Sequence, residues 1–162
     1  MTDVRYDRLP TRLGELLVTD HGWGLSGLYF PDHRRGPQVE PSWLVDPEPF
    51  RILADLLDTY LRGEPVRFEV PLDLRGTDLQ VEVWTALRRI PVGTTVSYGE
   101  LAATVGRPGA ARAVAAAVAR NPVSIVVPCH RVIGANGTLT GYAGGIDRKR
   151  TLLTMERALP DP

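Results

Sequence analysis

The chain contains a single cysteine, Cys129, set in Pro128-Cys129-His130-Arg131. A free thiol has a pKa of about 8.5, so it is mostly protonated near neutrality and needs a base or nearby positive charge to react. His130 is an adjacent base that can take the proton directly or through one bridging water. Arg131 adds positive charge that favours the thiolate if it faces the site. A base of this kind usually has an orienting carboxylate. Glu156 follows Leu152 and Leu153 by four and three residues, which puts it on the apolar face of a C-terminal helix. A carboxylate there needs a partner, because burying it unpaired is costly. His130 is one candidate; a surface pairing with Arg157 or Arg150 is the other. A lone cysteine used only for packing is the competing reading of Cys129.

These side chains need elements to position them. Leu13, Glu15 to Thr19 and Leu25 to Phe30 read as strands around an Asp20-His21-Gly22 turn. A proline-rich loop follows, then a helix from Phe50 to Arg62 stopped by Gly63, then a strand from Arg67 to Leu72. Gly76 marks a boundary between two subdomains, 1–75 and 76–162. Beyond it, Thr77 and Gln80 form a capping box for a helix running to Pro91, and Ser97 and Glu100 form a second for Tyr98 to about Val105. Pro108 starts a third helix, Gly109 to Ala119, so the last two helices make a helix-turn-helix pattern. The third helix carries seven alanines and, in its first turn, Arg112. Either it is a tightly packed core helix with one exposed arginine, or its bare backbone approaches a nucleic acid while Arg112 fills the space of an extruded base. Asp147 is placed to cap the C-terminal helix. Three glycines around Tyr142 suggest a loop that can approach a ligand closely, or an ordinary turn.

Composition narrows the class. With 43% hydrophobic and 23% charged residues in 162, the chain suits a compact globular protein. Asn121 to Cys129 is too short and too interrupted by proline to span a bilayer, and the N-terminus shows no secretory signal. One cysteine makes neither an internal disulfide nor a cysteine-rich zinc site, so a metal-free cytoplasmic protein without a cofactor is expected. Net charge is zero, but residues 1–75 sum to −4 and 76–162 to +4. The second part is therefore the better match for a polyanion.

The segments Pro128-Cys129-His130-Arg131-Val132-Ile133 and Gly141-Tyr142-Ala143-Gly144-Gly145 resemble the O6-alkylguanine-DNA alkyltransferases, also called methylated-DNA–protein-cysteine methyltransferases. Val96-Ser97-Tyr98-Gly99-Glu100-Leu101-Ala102, Ala111-Arg112-Ala113-Val114 and Asn121-Pro122 extend the resemblance, which runs from about Leu79 to Glu156. The first 75 residues resemble the family only in length and in their β-then-helix order. The resemblance implies an α+β fold: a small antiparallel, ribonuclease H-like N-terminal sheet with a helix, and a mainly helical C-terminal subdomain. It implies that Cys129 accepts an alkyl group from O6-alkylguanine, with O4-alkylthymine as a further substrate, once and irreversibly. His130 would deprotonate the thiol through a water, Glu156 would hold the imidazole, and Tyr98 would donate to the departing guanine. Arg112 would replace the flipped nucleotide while Ala113, Ala116 and Tyr98 contact DNA in the minor groove. Asn121 would brace the cysteine segment, and Tyr142, Ala143 and Val132 would line the base pocket with it. The implied partner is double-stranded DNA, met by a monomer in solution that could assemble cooperatively on the duplex.

Three positions depart from the family pattern. Ala115 replaces a usual glycine and narrows the approach of DNA, Arg120 replaces a small residue, and Ala143 replaces a serine found in some members. Other classes fit less well. A damage sensor of this type lacks the acceptor cysteine, a cysteine hydrolase gives the helix-turn-helix no purpose, and a transcriptional regulator needs base-reading polar side chains that the alanine-rich helix lacks.

Overall fold

The computed structural model describes residues 3–159. The chain opens with β1 (Arg5–Thr11), β2 (Gly14–Asp20) and β3 (Leu25–Tyr29), followed by a short β4 (Leu44–Val45). The sheet order is β3-β2-β1-β4, antiparallel throughout except that β4 runs parallel to β1 at the edge. Strands β2 and β3 lie where their apolar runs place them. Strand β1 has no place in the sequence reading, because Asp7, Arg8 and Pro10 interrupt its pattern. It nonetheless pairs with β2 along its length, from Arg5 opposite Asp20 to Thr11 opposite Gly14. The expected strand at 67–72 is extended chain instead. Only Leu72 bridges to Leu25, whose N–H donates to the Pro71 carbonyl at 2.8 Å. Pro65 precedes that segment and Pro71 lies within it, and neither has the N–H group a ladder requires.

Helix α1 (Arg51–Leu61) buries Leu53, Leu57, Tyr60 and Leu61, spaced three to four apart along one face. Helices α2 (Asp78–Leu87) and α3 (Tyr98–Thr104) both begin at complete capping boxes, Thr77 with Gln80 and Ser97 with Glu100. At seven residues α3 is too short to persist by intrinsic propensity, so its cap and packing hold it. Gly106 follows with φ 74°, a left-handed conformation that ends the helix without a Cβ clash. Helix α4 (Ala111–Ala119) starts later than expected. Pro108 and Gly109 remain in the turn, where the Ala110 N–H donates to the Arg107 carbonyl at 2.9 Å. Helix α5 (Ile146–Met155) is entered from Gly145, and Asp147 lies in its first turn without capping it by a side-chain hydrogen bond.

One apolar cluster runs across Gly76, from Leu16, Leu28 and Phe30 through Trp84 and Val114 to Val127 and Leu152. Strand β3 reaches the cysteine segment through its backbone: the Leu28 N–H donates to Pro122 and the Ser124 N–H to Leu28, at 2.9 and 3.1 Å. A short parallel pair, β5 (Val96–Ser97) with β6 (Val132–Ile133), ties the start of α3 to the residues just after Cys129. Neither strand is visible in the sequence, because two residues carry no periodicity. Among the described residues no helix is long and apolar enough to cross a membrane.

Candidate active site

The cysteine segment leaves α4 at Asn121, which is 2% exposed. The Asn121 amide nitrogen donates to the Val127 carbonyl at 2.8 Å, and its oxygen accepts the Val123 N–H at 3.0 Å. One side chain thus closes a loop whose middle residue, Ile125, has φ 71°. A β-branched residue in that conformation is strained and persists only where its surroundings fix it. The loop delivers Cys129 to the first position of a 3₁₀ turn, Cys129–Arg131.

His130 and Glu156 meet behind that turn. His130 Nε2 and Glu156 Oε2 are 2.8 Å apart, and both side chains are almost fully buried. Arg131 forks onto the same carboxylate, Nε to Oε1 at 2.8 Å and a terminal nitrogen to Oε2 at 2.9 Å, and donates to the Ile90 carbonyl at 2.7 Å. Tyr60, on α1, donates its hydroxyl to Oε2 as well. Glu156 therefore pairs with His130 and Arg131 rather than with Arg150 or Arg157. The Arg131 charge, expected to favour the thiolate if it faced the site, faces the carboxylate.

Electrostatics fix the roles. Burial raises the Glu156 carboxyl, but hydrogen bonds and charge from His130 and Arg131 outweigh it and hold the group at about 2. Burial lowers His130 below its ordinary 6.5, against the opposing pull of Glu156. The imidazole is therefore neutral near pH 7. A carboxylate only accepts, so Nε2 carries the proton and Nδ1 keeps its lone pair. Nδ1 is buried and has no partner among the described residues. Burial also raises the Cys129 thiol, opposed by the Asn121 amide. The resting pair is a thiol and a neutral base with its accepting nitrogen free.

Cys129 opens onto a small cavity of about 30 Å³ lined by Tyr98, Asn121, Tyr142 and Ala143, among others. The Tyr98 and Thr140 hydroxyls are hydrogen-bonded at 2.9 Å. Of the expected pocket residues, Val132 does not reach this space. It is fully buried in β6, paired with Val96. Ala115 does reach it, so its methyl narrows the cavity as well as the helix surface. In the glycine loop, a Cβ on Gly144 would lie 2.4 Å from the Phe30 ring, so this glycine serves close packing just beyond β3, while Gly141 lines the cavity. His33, from the proline-rich loop, and Ser124 line the cavity too. Ser124 is the one polar residue within the run Val123–Val127, a signal present in the sequence; His33 and Tyr60 offer none.

On the outer side, α4 packs Val114, Ala117 and Val118 inward against α2 and α3, and Trp84 donates to the Ala117 carbonyl at 2.8 Å. Arg112, Ala113, Ala116 and Arg120 are exposed on the other face.

Fold and site together define an α+β protein with a buried thiol beside a histidine–carboxylate pair, reached past a helix-turn-helix. The 6-O-methylguanine DNA methyltransferase DNA-binding domain matches residues 78–158, and the ribonuclease-like domain of the same name matches residues 4–74. The likeness thus extends through the N-terminal segment, where the sequence reading found only length and element order. A Mycobacterium tuberculosis methylated-DNA–protein-cysteine methyltransferase is 48% identical over 155 residues, 96% of this chain and 93% of that one. One from Methanosarcina acetivorans is 46% identical over 151 residues, 93% of this chain and 97% of the relative. The crystal structure of M. tuberculosis OGT in complex with DNA superposes with a TM-score of 0.86 at 47% identity, covering 96% of this chain and 93% of that one. The chain belongs to the 6-O-methylguanine DNA methyltransferase family.

Proposed function

We propose that this protein repairs DNA by transferring the alkyl group of O6-alkylguanine to Cys129, as a cytoplasmic methylated-DNA–protein-cysteine methyltransferase. The observation that carries the reading is the His130 orientation: Nε2 is tied to Glu156, which leaves Nδ1, on the residue next to Cys129, without a partner among the described residues. In the reaction, His130 takes the Cys129 proton and the thiolate attacks the alkyl carbon in line. The Sγ–carbon bond forms as the carbon–O6 bond breaks, and the electron pair stays on guanine. Tyr98 donates a hydrogen bond to the departing ring, and the proton held by His130 is returned to guanine through solvent. The product thioether is a very poor leaving group, so each molecule acts once.

The depth of the thiol supports nucleotide flipping. Cys129 is 7% exposed, behind α4, and a stacked base cannot reach it. Arg112 fills the vacated position while Ala113 and Ala116 allow α4 close to the minor groove. Tyr142, Ala143 and Asn121 form the walls around the base. Residues 1–75 act as the scaffold and 76–162 carry the chemistry. The protein works as a monomer, with cooperative assembly on DNA a separate property of the bound state. O4-alkylthymine presents the same alkyl–oxygen bond and is the second substrate to assay.

Incubation with a duplex containing O6-methylguanine, then digestion and weighing of the Cys129 peptide, tests this. The expected result is a gain of one methylene unit with a yield that stops at one group per protein. An unmodified peptide despite tight binding overturns the reading in favour of a damage sensor.

A further inference from the structure

Tyr98 meets the rest of the protein in two ways. Its ring packs against the apolar cluster, and the residue lines the cavity at Cys129. Its hydroxyl makes one hydrogen bond among the described residues, to the Thr140 hydroxyl at 2.9 Å. The backbone of Tyr98 is fixed, because it is the first residue of α3, behind the Ser97–Glu100 capping box and the β5–β6 pair. A fixed backbone still leaves a choice of side-chain rotamers, so the aim of the hydroxyl depends on what meets it.

Thr140 lies 42 residues further along the chain and immediately precedes the glycine loop, whose Tyr142 and Ala143 line the same cavity. Lys149 Nζ approaches the Thr140 carbonyl at 3.5 Å and donates to the Val132 carbonyl at 2.6 Å, so one side chain ties the Thr140 backbone to β6. The Thr140 hydroxyl has no second partner among the described residues. A hydroxyl carries one hydrogen to donate and lone pairs to accept with. In the isolated pair either oxygen can be the donor. With a guanine in the cavity the two directions have opposite consequences. If Tyr98 donated to Thr140, its hydrogen would be taken and the pair would have to break before Tyr98 met the base. If Thr140 donates, the Tyr98 hydrogen is free.

We infer that Thr140 is a positioning residue for the transfer: its hydroxyl donates to the Tyr98 oxygen and so aims the Tyr98 hydrogen at the departing guanine. This rests on the repair reading and on the part given to Tyr98 there. As the carbon–O6 bond breaks, its electron pair adds negative charge to the guanine, and a donor already in place stabilises that charge where it develops. A hydroxyl that accepts one hydrogen bond is polarised and donates the next more strongly, by about 10–30% per bond. No proton moves along the pair. The bond from Tyr98 to guanine remains a hydrogen bond, and the Cys129 proton leaves through His130.

Single-turnover transfer from the free base O6-methylguanine, read as the mass of the Cys129 peptide, tests this beside labelling of Cys129 by iodoacetamide. Iodide departs as a stable anion that needs no donor, so labelling reads the thiol and its base without Tyr98. Thr140→Val keeps the side-chain shape and removes the donor. Its transfer is expected to slow about fivefold, the worth of one hydrogen bond, while its labelling keeps the parent's rate. Thr140→Ser keeps the hydroxyl and should transfer as the parent does. In a Tyr98→Phe background Thr140→Val should add nothing, because the group it aims is gone. A valine variant that transfers as fast as the parent or faster overturns the inference. So does labelling slowed as much as transfer, a serine variant as slow as the valine one, or a valine effect that keeps its full size in Tyr98→Phe. A parent that is labelled but takes no methyl group overturns the repair reading and this inference with it; a parent that takes the methyl group beside an unslowed valine variant overturns this inference alone.

Discussion

The two faces of His130 are built on opposite rules. On the Glu156 side every polar group is paired. The carboxylate accepts from His130, from two nitrogens of Arg131 and from Tyr60. Away from that carboxylate, His130 Nδ1, Ser124 Oγ and Tyr142 OH are buried without a hydrogen-bond partner of ordinary geometry among the described residues. Buried polar groups are normally satisfied, and Ser124 and Tyr142 line one cavity with Cys129, which suits a face kept open for a reacting partner. The contrast separates two jobs. One face fixes the tautomer and angle of the imidazole, and the other leaves its lone pair and the sulfur free.

Breaking the paired face should have the largest effect. Glu156→Ala strands the Arg131 guanidinium and two further donors in the core, and loss of one partner of a buried ion pair costs about 3–5 kcal/mol. Urea denaturation measures it, and a loss under about 1 kcal/mol would mean that the clamp is not structural. Acid reaches the same face without mutation. The Glu156 carboxyl sits at about 2 in the folded protein against an ordinary 4.5. A depressed carboxyl gives stability that is fully present above the unfolded pKa and is lost as pH falls toward the folded one. The window is therefore about pH 4.5 to 2, and about 3 kcal/mol is at stake across it. His130, also depressed, adds a loss of the same sign as pH falls below 6.5. Denaturation midpoints that stay level between pH 5 and 3 would contradict the pairing.

Tyr60→Phe is the finer cut. It removes one hydroxyl donor to a charged acceptor, worth about 2 kcal/mol, and leaves Arg131 and His130 in place. Because Tyr60 lies on α1 and Glu156 ends α5, the loss should appear as weaker coupling of the N-terminal segment to the site. Amide exchange should speed up at the end of α5 more than in β2, and equal change in both would refute a local link.

Much of the unpaired face was legible in the chain, and little of the paired one. Cys129, His130 and Glu156 announce themselves by residue type and by the helical spacing of Leu152, Leu153 and Glu156. Two capping boxes fix the starts of α2 and α3 to within a residue, although α2 ends at Leu87, short of the Pro91 that the sequence suggests. Tyr60 reads as one more apolar contact on the α1 stripe, because helical periodicity says which face is buried and nothing about what a hydroxyl on it meets. Arg131 is adjacent to His130 in sequence, yet its fork depends on the 3₁₀ turn that rotates it toward Glu156. The edge strands β4, β5 and β6 are two residues each, below the length at which alternation exists. The strand expected at 67–72 fails for the converse reason: its side chains suit a sheet, but Pro71 cannot donate to a ladder, and only Leu72 bridges to Leu25 at the β3 edge.

The smallest effect on stability should come from Arg112→Ala, which tests whether the open face is reached from the α4 side. Arg112 is exposed, makes no hydrogen bond or ion pair among the described residues, and lies in the first turn of a helix whose buried residues are Val114, Ala117 and Val118. Removing it should change unfolding free energy by no more than about 0.5 kcal/mol. Iodoacetamide labelling of Cys129 should be untouched, because neither His130 nor Glu156 contacts it. Transfer from an O6-methylguanine duplex should nonetheless slow, on the order of tenfold, if the side chain holds the gap left by a flipped nucleotide. Transfer from the free base O6-methylguanine, which needs no flipping, is the control. Equal slowing with duplex and free base would place Arg112 in the pocket's chemistry instead, and an unchanged rate with both would mean that DNA approaches the thiol along another surface.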